Sequence, residues 1–92
     1  MIKSFQHRGL ERFFVKSDRS KIDAKQADRI RRILDRLDAA TKPEDMELPG
    51  YKFHGLGGQR KGDYAVSVSG NWRITFSFKD SDAIDVNLED YH

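Results

Sequence analysis

Five side chains in this sequence carry groups that phosphodiester chemistry uses: His54, Arg73 and the terminal run Asp90-Tyr91-His92. Scission of an RNA backbone requires that a 2′-hydroxyl lose a proton as it attacks the adjacent phosphorus. The crowded phosphate needs a cation, and the departing 5′-oxygen needs a proton. An imidazole, with an unperturbed pKa of about 6.5, can take the first or the third task near neutral pH. Arginine suits the second, because its planar fork of donors matches phosphate oxygens. The same Arg73 would equally suit a surface ion pair with Asp85 or Glu89. A lone histidine is more often a satisfied surface or core group than a catalyst, so His54 gains weight only from its company. That company includes a chain end where a carboxylate, a phenol and an imidazole are adjacent, just beyond an apolar strand able to hold them. No cofactor is implied. His7, His54 and His92 show no metal-ligand spacing, and there is no cysteine, so no metal is expected either.

Positioning these groups calls for a scaffold, and the periodicities supply one. Tyr64, Val66 and Val68 alternate with Ala65, Ser67 and Ser69. Beyond the two-residue connection Gly70-Asn71, which suits a type II′ turn, Trp72, Ile74, Phe76 and Phe78 alternate with Arg73, Thr75 and Ser77. After a turn at residues 79–82, Ile84, Val86 and Leu88 alternate with Asp85, Asn87 and Glu89. This pattern predicts three antiparallel strands. Residues 51–54, with Tyr51 and Phe53 to one side and Lys52 and His54 to the other, predict a fourth, and residues 2–5 a short further strand. The glycine-rich run 55–62 follows His54 as a flexible connection whose backbone N–H groups could also approach an anion.

Helical spacing dominates the first half. Ala27, Ile30, Leu34 and Leu37 form one stripe between Asp23 and Ala40, with Asp23 and Gln26 in capping-box spacing and Pro43 beyond the end. Lys25, Arg29, Arg32 and Arg36 form another, and Asp28–Arg32 and Arg31–Asp35 can pair along the helix. A shorter helix is expected over 9–16, with Leu10, Phe13 and Phe14 as its apolar edge and Ser17-Asp18 at its end. The fold expected is α+β: a helical hairpin packed on one face of a small, mainly antiparallel sheet. Its other face would carry Ser67, Ser69, Arg73, Thr75, Ser77, Asp85 and Asn87.

Ninety-two residues leave room for one domain with one modest core. Without cysteines or an apolar leader the sequence is read as that of a cytoplasmic protein with no membrane association. Residues 1–61 hold fifteen Lys and Arg against nine Asp and Glu, whereas residues 62–92 hold two against six. The first two thirds could therefore steer toward a polyanion, although solvated helices often have the same composition.

Taken together, residues 1–5, Tyr51-Lys52-Phe53-His54, Arg60, Asn71-Trp72-Arg73-Ile74-Thr75-Phe76 and Glu89-Asp90-Tyr91-His92 resemble the HigB-type toxins of bacterial toxin–antitoxin systems, within the RelE/ParE-like superfamily. The resemblance covers nearly the whole chain and implies a RelE-like toxin fold. It implies an endoribonuclease that cuts messenger RNA in the A site of the 70S ribosome without a metal. It also implies restraint by a HigA-like helix-turn-helix antitoxin, through which alone the toxin meets operator DNA. The residues matching the family's site are His54, Asp90, Tyr91 and His92, with Arg73 nearby. Arg73 is expected at the phosphate, Tyr91 in nucleotide stacking or positioning, and His54, His92 and Asp90 in the proton transfers, with base and acid unassigned among them. Basic surface residues of the family contact the ribosome, which makes Lys25, Arg29, Arg32, Arg36, Lys52, Arg60 and Lys61 candidates for RNA and ribosome binding. Some relatives carry a lysine in an H-P-L-K-G pattern, whereas here the run is His54-Gly55-Leu56-Gly57-Gly58. Gly57 cannot supply that charge; Arg60 or Lys61 could reach the same space. Two other outcomes fit the fold: a ParE-like toxin that binds DNA gyrase, for which the terminal run is dispensable, and an inactive relative that only represses transcription with its antitoxin.

Overall fold

The structure, a computed structural model, describes residues 1–91. Two helices precede a four-stranded antiparallel sheet: α1 (Arg8–Lys16), α2 (Ala27–Ala39), β1 (His54–Gly55), β2 (Asp63–Ser69), β3 (Trp72–Lys79) and β4 (Asp82–Asp90), with the strands in sequential order. Short 3₁₀ turns occupy Pro43–Met46 and Gly58–Arg60. Among the described residues no helix is long and apolar enough to cross a membrane.

The two helices bury their apolar stripes against one face of the sheet. Leu10, Ile30, Ile33, Leu34 and Leu37 meet Val66, Ile74, Phe76 and Val86, all essentially inaccessible to water. Arg31 locks the helices together at one end. Its guanidinium lies 5.7 Å and 5.6 Å from the ring centroids of Phe13 and Phe14. Its Nη1 also donates to the carbonyls of both residues at the C-terminal end of α1, where the Phe13 carbonyl already accepts from the Ser17 N–H. Residue 17 ends α1 in the left-handed conformation, and His7 caps its start by accepting from the Leu10 N–H through Nδ1 at 3.0 Å.

Four sequence expectations change. The long helix starts at Ala27 rather than at Asp23. Asp23 closes a local turn on the Lys25 N–H instead, and Gln26 is buried with its amide donating to Ser69 Oγ at 2.8 Å. A long-range bond thus takes the side chain that a capping box would have used. Asp28 faces Arg19 at 3.5 Å and not Arg32, while Arg31 and Asp35 do pair. The strand expected over 51–54 shrinks to His54–Gly55, because Lys52 turns the chain through φ 51°. On β4, Ala83 and Val86 are the core residues and Ile84 is only half-buried. Asp85, at φ 55°, is an extra residue opposite β3, and such a bulge reverses the inward and outward order on either side of it.

Residues 2–5 do pair with the sheet, parallel to β4 and on its outer edge. Lys3 and Gln6 N–H groups donate to the Ala83 and Val86 carbonyls, and the Ser4 hydroxyl accepts from the Asp85 N–H at the bulge. The chain start therefore covers an otherwise open edge of the strand that ends in the terminal run.

Candidate active site

A row of aromatic rings sets His54 in place. Phe53 stacks on Tyr64 (5.6 Å, 8° between planes), Tyr64 on Phe76 (6.1 Å), and Phe76 meets Phe78 edge-on (6.0 Å). Phe53 thereby belongs to the core side of the sheet. Its neighbour His54, one residue on along an extended chain, must emerge on the side away from the helices. Its Cα lies opposite Ala65, which in turn lies opposite Thr75. Arg73, opposite Ser67 on one side and Glu89 on the other, is two residues from Thr75 along β3 and so shares that face.

Helix α2 reaches through the fold to hold the approach to His54. The Arg29 guanidinium donates to the carbonyls of Gly50 (2.8 Å) and Ser67 (2.9 Å) and lies 5.1 Å from the Tyr51 ring centroid. The Ser67 N–H donates to the Tyr51 carbonyl at 2.7 Å. Lys52, in its left-handed conformation, then turns its own carbonyl onto His54 Nδ1 at 2.9 Å. A carbonyl can only accept, so Nδ1 carries a proton, and in the neutral form of the ring the lone pair is at Nε2.

Tyr91 closes on the same place. The Tyr91 N–H donates to the Asn71 carbonyl at 3.0 Å, which carries the chain past the end of β4, and Arg73 Cζ lies over the Tyr91 ring, 4.2 Å from its centroid. His54, Arg73 and Tyr91 together with Lys52, Ser67, Gly70 and Trp72 line a pocket of about 100 Å³. Asp90 is exposed at the end of β4, opposite Trp72, and is not among the residues lining this pocket; His92 lies outside the described residues.

Glu89 ties the pocket-lining Arg73 to Arg60, a part not assigned to it from the sequence beyond a surface pairing with Arg73. Arg60 Nη1 and Nη2 donate to Glu89 Oε1 and Oε2 at 2.9 and 2.7 Å, fork to fork. The Thr75 hydroxyl donates to Oε2 at 2.8 Å, and Arg73 Nη2 approaches Oε1 at 3.3 Å. Thr75, expected on an open face, is thereby buried. The Arg60 fork, aided by Thr75 and Arg73 against the opposing cost of burial, draws the Glu89 carboxyl from 4.5 down to about 2. Because the folded state holds this proton more weakly than the unfolded chain, the stabilisation is complete above about pH 4.5 and is lost as the pH falls toward 2. Urea midpoints measured from pH 6 to pH 3 are expected to fall less in Glu89→Gln than in the unaltered protein.

Arg73 Nε is buried and has no hydrogen-bond partner among the described residues. An unsatisfied guanidinium N–H costs on the order of 1–3 kcal/mol, so it marks a donor set suited to an incoming anion. Of the other basic candidates, Lys25, Arg32, Arg36, Lys52 and Lys61 are exposed, with Lys25 in the turn before α2, while Arg29 and Arg60 are engaged as described. Among the described residues no group of three His, Asp or Glu side chains is placed to hold a metal ion.

Helices laid on one face of a sequential antiparallel sheet, with His54, Arg73 and Tyr91 gathered on the other, define a RelE-like toxin. Residues 3–92 match the family described as the RelE-like toxin of the type II toxin–antitoxin system HigB, and the chain is a member of that family. A type II toxin has a cognate antitoxin as its partner. The chain is also 45% identical over 92 residues, the full length of both proteins, to the endoribonuclease HigB of Proteus vulgaris.

Proposed function

We propose that this protein is a cytoplasmic endoribonuclease that cuts messenger RNA in the ribosomal A site, and so inhibits translation until a helix-turn-helix antitoxin binds it. The reading rests on one observation above the others: an imidazole held through Nδ1, an arginine whose buried Nε has no partner among the described residues, and an aromatic ring share one small pocket. Membership of the toxin family and the likeness to an endoribonuclease support it.

In the proposed reaction Arg73 binds the scissile phosphate and stabilises the charge that builds on its non-bridging oxygens, and Tyr91 orients both Arg73 and the nucleotide. His54 Nε2 exchanges a proton with the reacting oxygens. The second transfer falls to His92 or Asp90 at the chain end. Attack of the 2′-oxygen forms a new P–O bond as the bond to the 5′-oxygen breaks, which leaves a 2′,3′-cyclic phosphate and a 5′-hydroxyl. The exposed cations Lys25, Arg32, Arg36, Lys52 and Lys61 add salt-sensitive contacts to ribosomal RNA.

Expression without antitoxin should arrest translation, and primer extension on cellular transcripts should show discrete scissions. Deletion of Tyr91-His92 should remove both effects while leaving the deleted protein able to bind its antitoxin. Undiminished arrest by the deleted protein, or DNA damage with intact messages, would overturn the reading.

A further inference from the structure

We infer that Arg60 serves the reaction without touching RNA: paired to Glu89, it lets that carboxylate hold Arg73 in position while leaving the Arg73 charge unbalanced for the phosphate. The inference rests on the endoribonuclease reading above. It also departs from the sequence-based expectation that Arg60 contacts RNA or ribosome.

Three observations lead to it. Glu89 lies directly across the strand pair from Arg73, so an interaction between them is built into the register of β3 and β4. The carboxylate nevertheless makes its short, two-pronged bond to Arg60, at 2.9 and 2.7 Å, and only a longer contact of 3.3 Å to Arg73. Finally, Arg73 keeps a buried Nε without a partner among the described residues, and its guanidinium stacks on Tyr91.

A carboxylate beside a phosphate-binding arginine is ordinarily a liability, because it cancels the arginine's charge and repels the incoming anion. Glu89 and the two guanidiniums bound to it together carry +1, whereas Glu89 with Arg73 alone would carry none; Asp63, which also contacts Arg60, lowers each sum by one. Arg60 reaches Glu89 from the glycine-rich connection between β1 and β2 and is anchored there by Asp63 at 3.5 Å. It is thus a positioning residue that acts through Glu89. Its removal would also draw Arg73 toward the uncompensated carboxylate and away from the pocket.

Charge arithmetic makes the test a double-mutant cycle. Arg60→Met lowers the charge of the cluster around Glu89 by one, and adding Glu89→Gln restores it. In single-turnover cleavage of messenger RNA on programmed 70S ribosomes, Arg60→Met should lower the rate at saturation roughly 10- to 100-fold, with the half-saturating concentration changed by less than about threefold. The double variant should be at least about fivefold faster than Arg60→Met alone. Arg60→Lys, which retains charge but not the fork, should fall between the parent and Arg60→Met and supplies the same cycle if Arg60→Met is unstable. A direct RNA contact predicts the reverse: a raised half-saturating concentration, a shallower salt dependence and a double variant no better than Arg60→Met. That outcome overturns the inference alone. Absence of any cleavage by the unaltered protein would overturn the endoribonuclease reading and this inference together.

Discussion

Replacement of Arg73 by alanine is expected to slow messenger RNA cleavage by roughly 100- to 1000-fold, the loss that follows removal of one fixed donor from a developing oxyanion. The size of the effect follows from how the residue is held. Arg73 is 14% exposed, its guanidinium lies under the Tyr91 ring, and one amino group points to Glu89. A cation fixed before substrate arrives needs little reorganisation as charge builds on the phosphate. Arg73→Lys should recover only a minor part of the rate, because an ammonium on a flexible stem offers neither the planar fork nor the stacking surface. The defect belongs in the chemical step, so binding to ribosomes, measured by co-sedimentation, should be nearly unchanged. A variant that reaches the parent rate at saturating ribosomes but co-sediments with them only weakly would assign Arg73 to docking instead.

The two-residue period on either side of Gly70-Asn71 was legible because β2 and β3 each have one face on the core. Gly70 takes φ 55°, the left-handed φ that the first central residue of such a turn requires, and Asn71 does not share it. The hairpin register then puts Arg73 between Ser67 and Glu89, and the pairing of Arg73 with Glu89 was within reach of the sequence. The bulge at Asp85 was not. Ala83, Ile84 and Val86 are all apolar, so the pattern reads equally well in either phase, and only the path of β4 beside the chain start decides which side chains enter the core.

Long-range partners account for the other features that the sequence did not show. Gln26 has the right spacing from Asp23 for a local cap, yet its buried amide finds its partner in Ser69, 43 residues away. Arg29 lies on a cationic stripe that suggests a nucleic-acid surface, yet it binds backbone carbonyls that steady the segment before His54. Arginine is equally suited to a phosphate and to a cluster of carbonyls, and residue type alone does not separate the two uses. Arg60 is the sharpest case. A glycine-rich run announces freedom of the backbone, but nothing in its composition indicates that its arginine folds back onto a carboxylate 29 residues further along.

His54→Ala is expected to lower cleavage about 100- to 10,000-fold, the range typical of a lost general acid or base. The contrast with His7 shows why. Nδ1 of His7 accepts from a backbone N–H and serves only to start a helix, whereas Nδ1 of His54 donates to the Lys52 carbonyl and leaves Nε2 to the pocket. Both rings are partnered, but in His54 the partner selects the tautomer that makes the outward nitrogen basic. The neutral ring can therefore accept a proton at Nε2, and the charged ring can return one from the same atom, without any change at Nδ1. His54→Asn tests this division of labour, since an amide can still bond to the Lys52 carbonyl while offering no titrating group. It should preserve the local fold, judged by an unchanged melting temperature, and still be as slow as His54→Ala. The pH dependence of single-turnover cleavage should lose one ionisation in both variants. If the asparagine variant instead cleaves within about threefold of the parent, His54 positions the substrate and a group at the chain end carries both proton transfers.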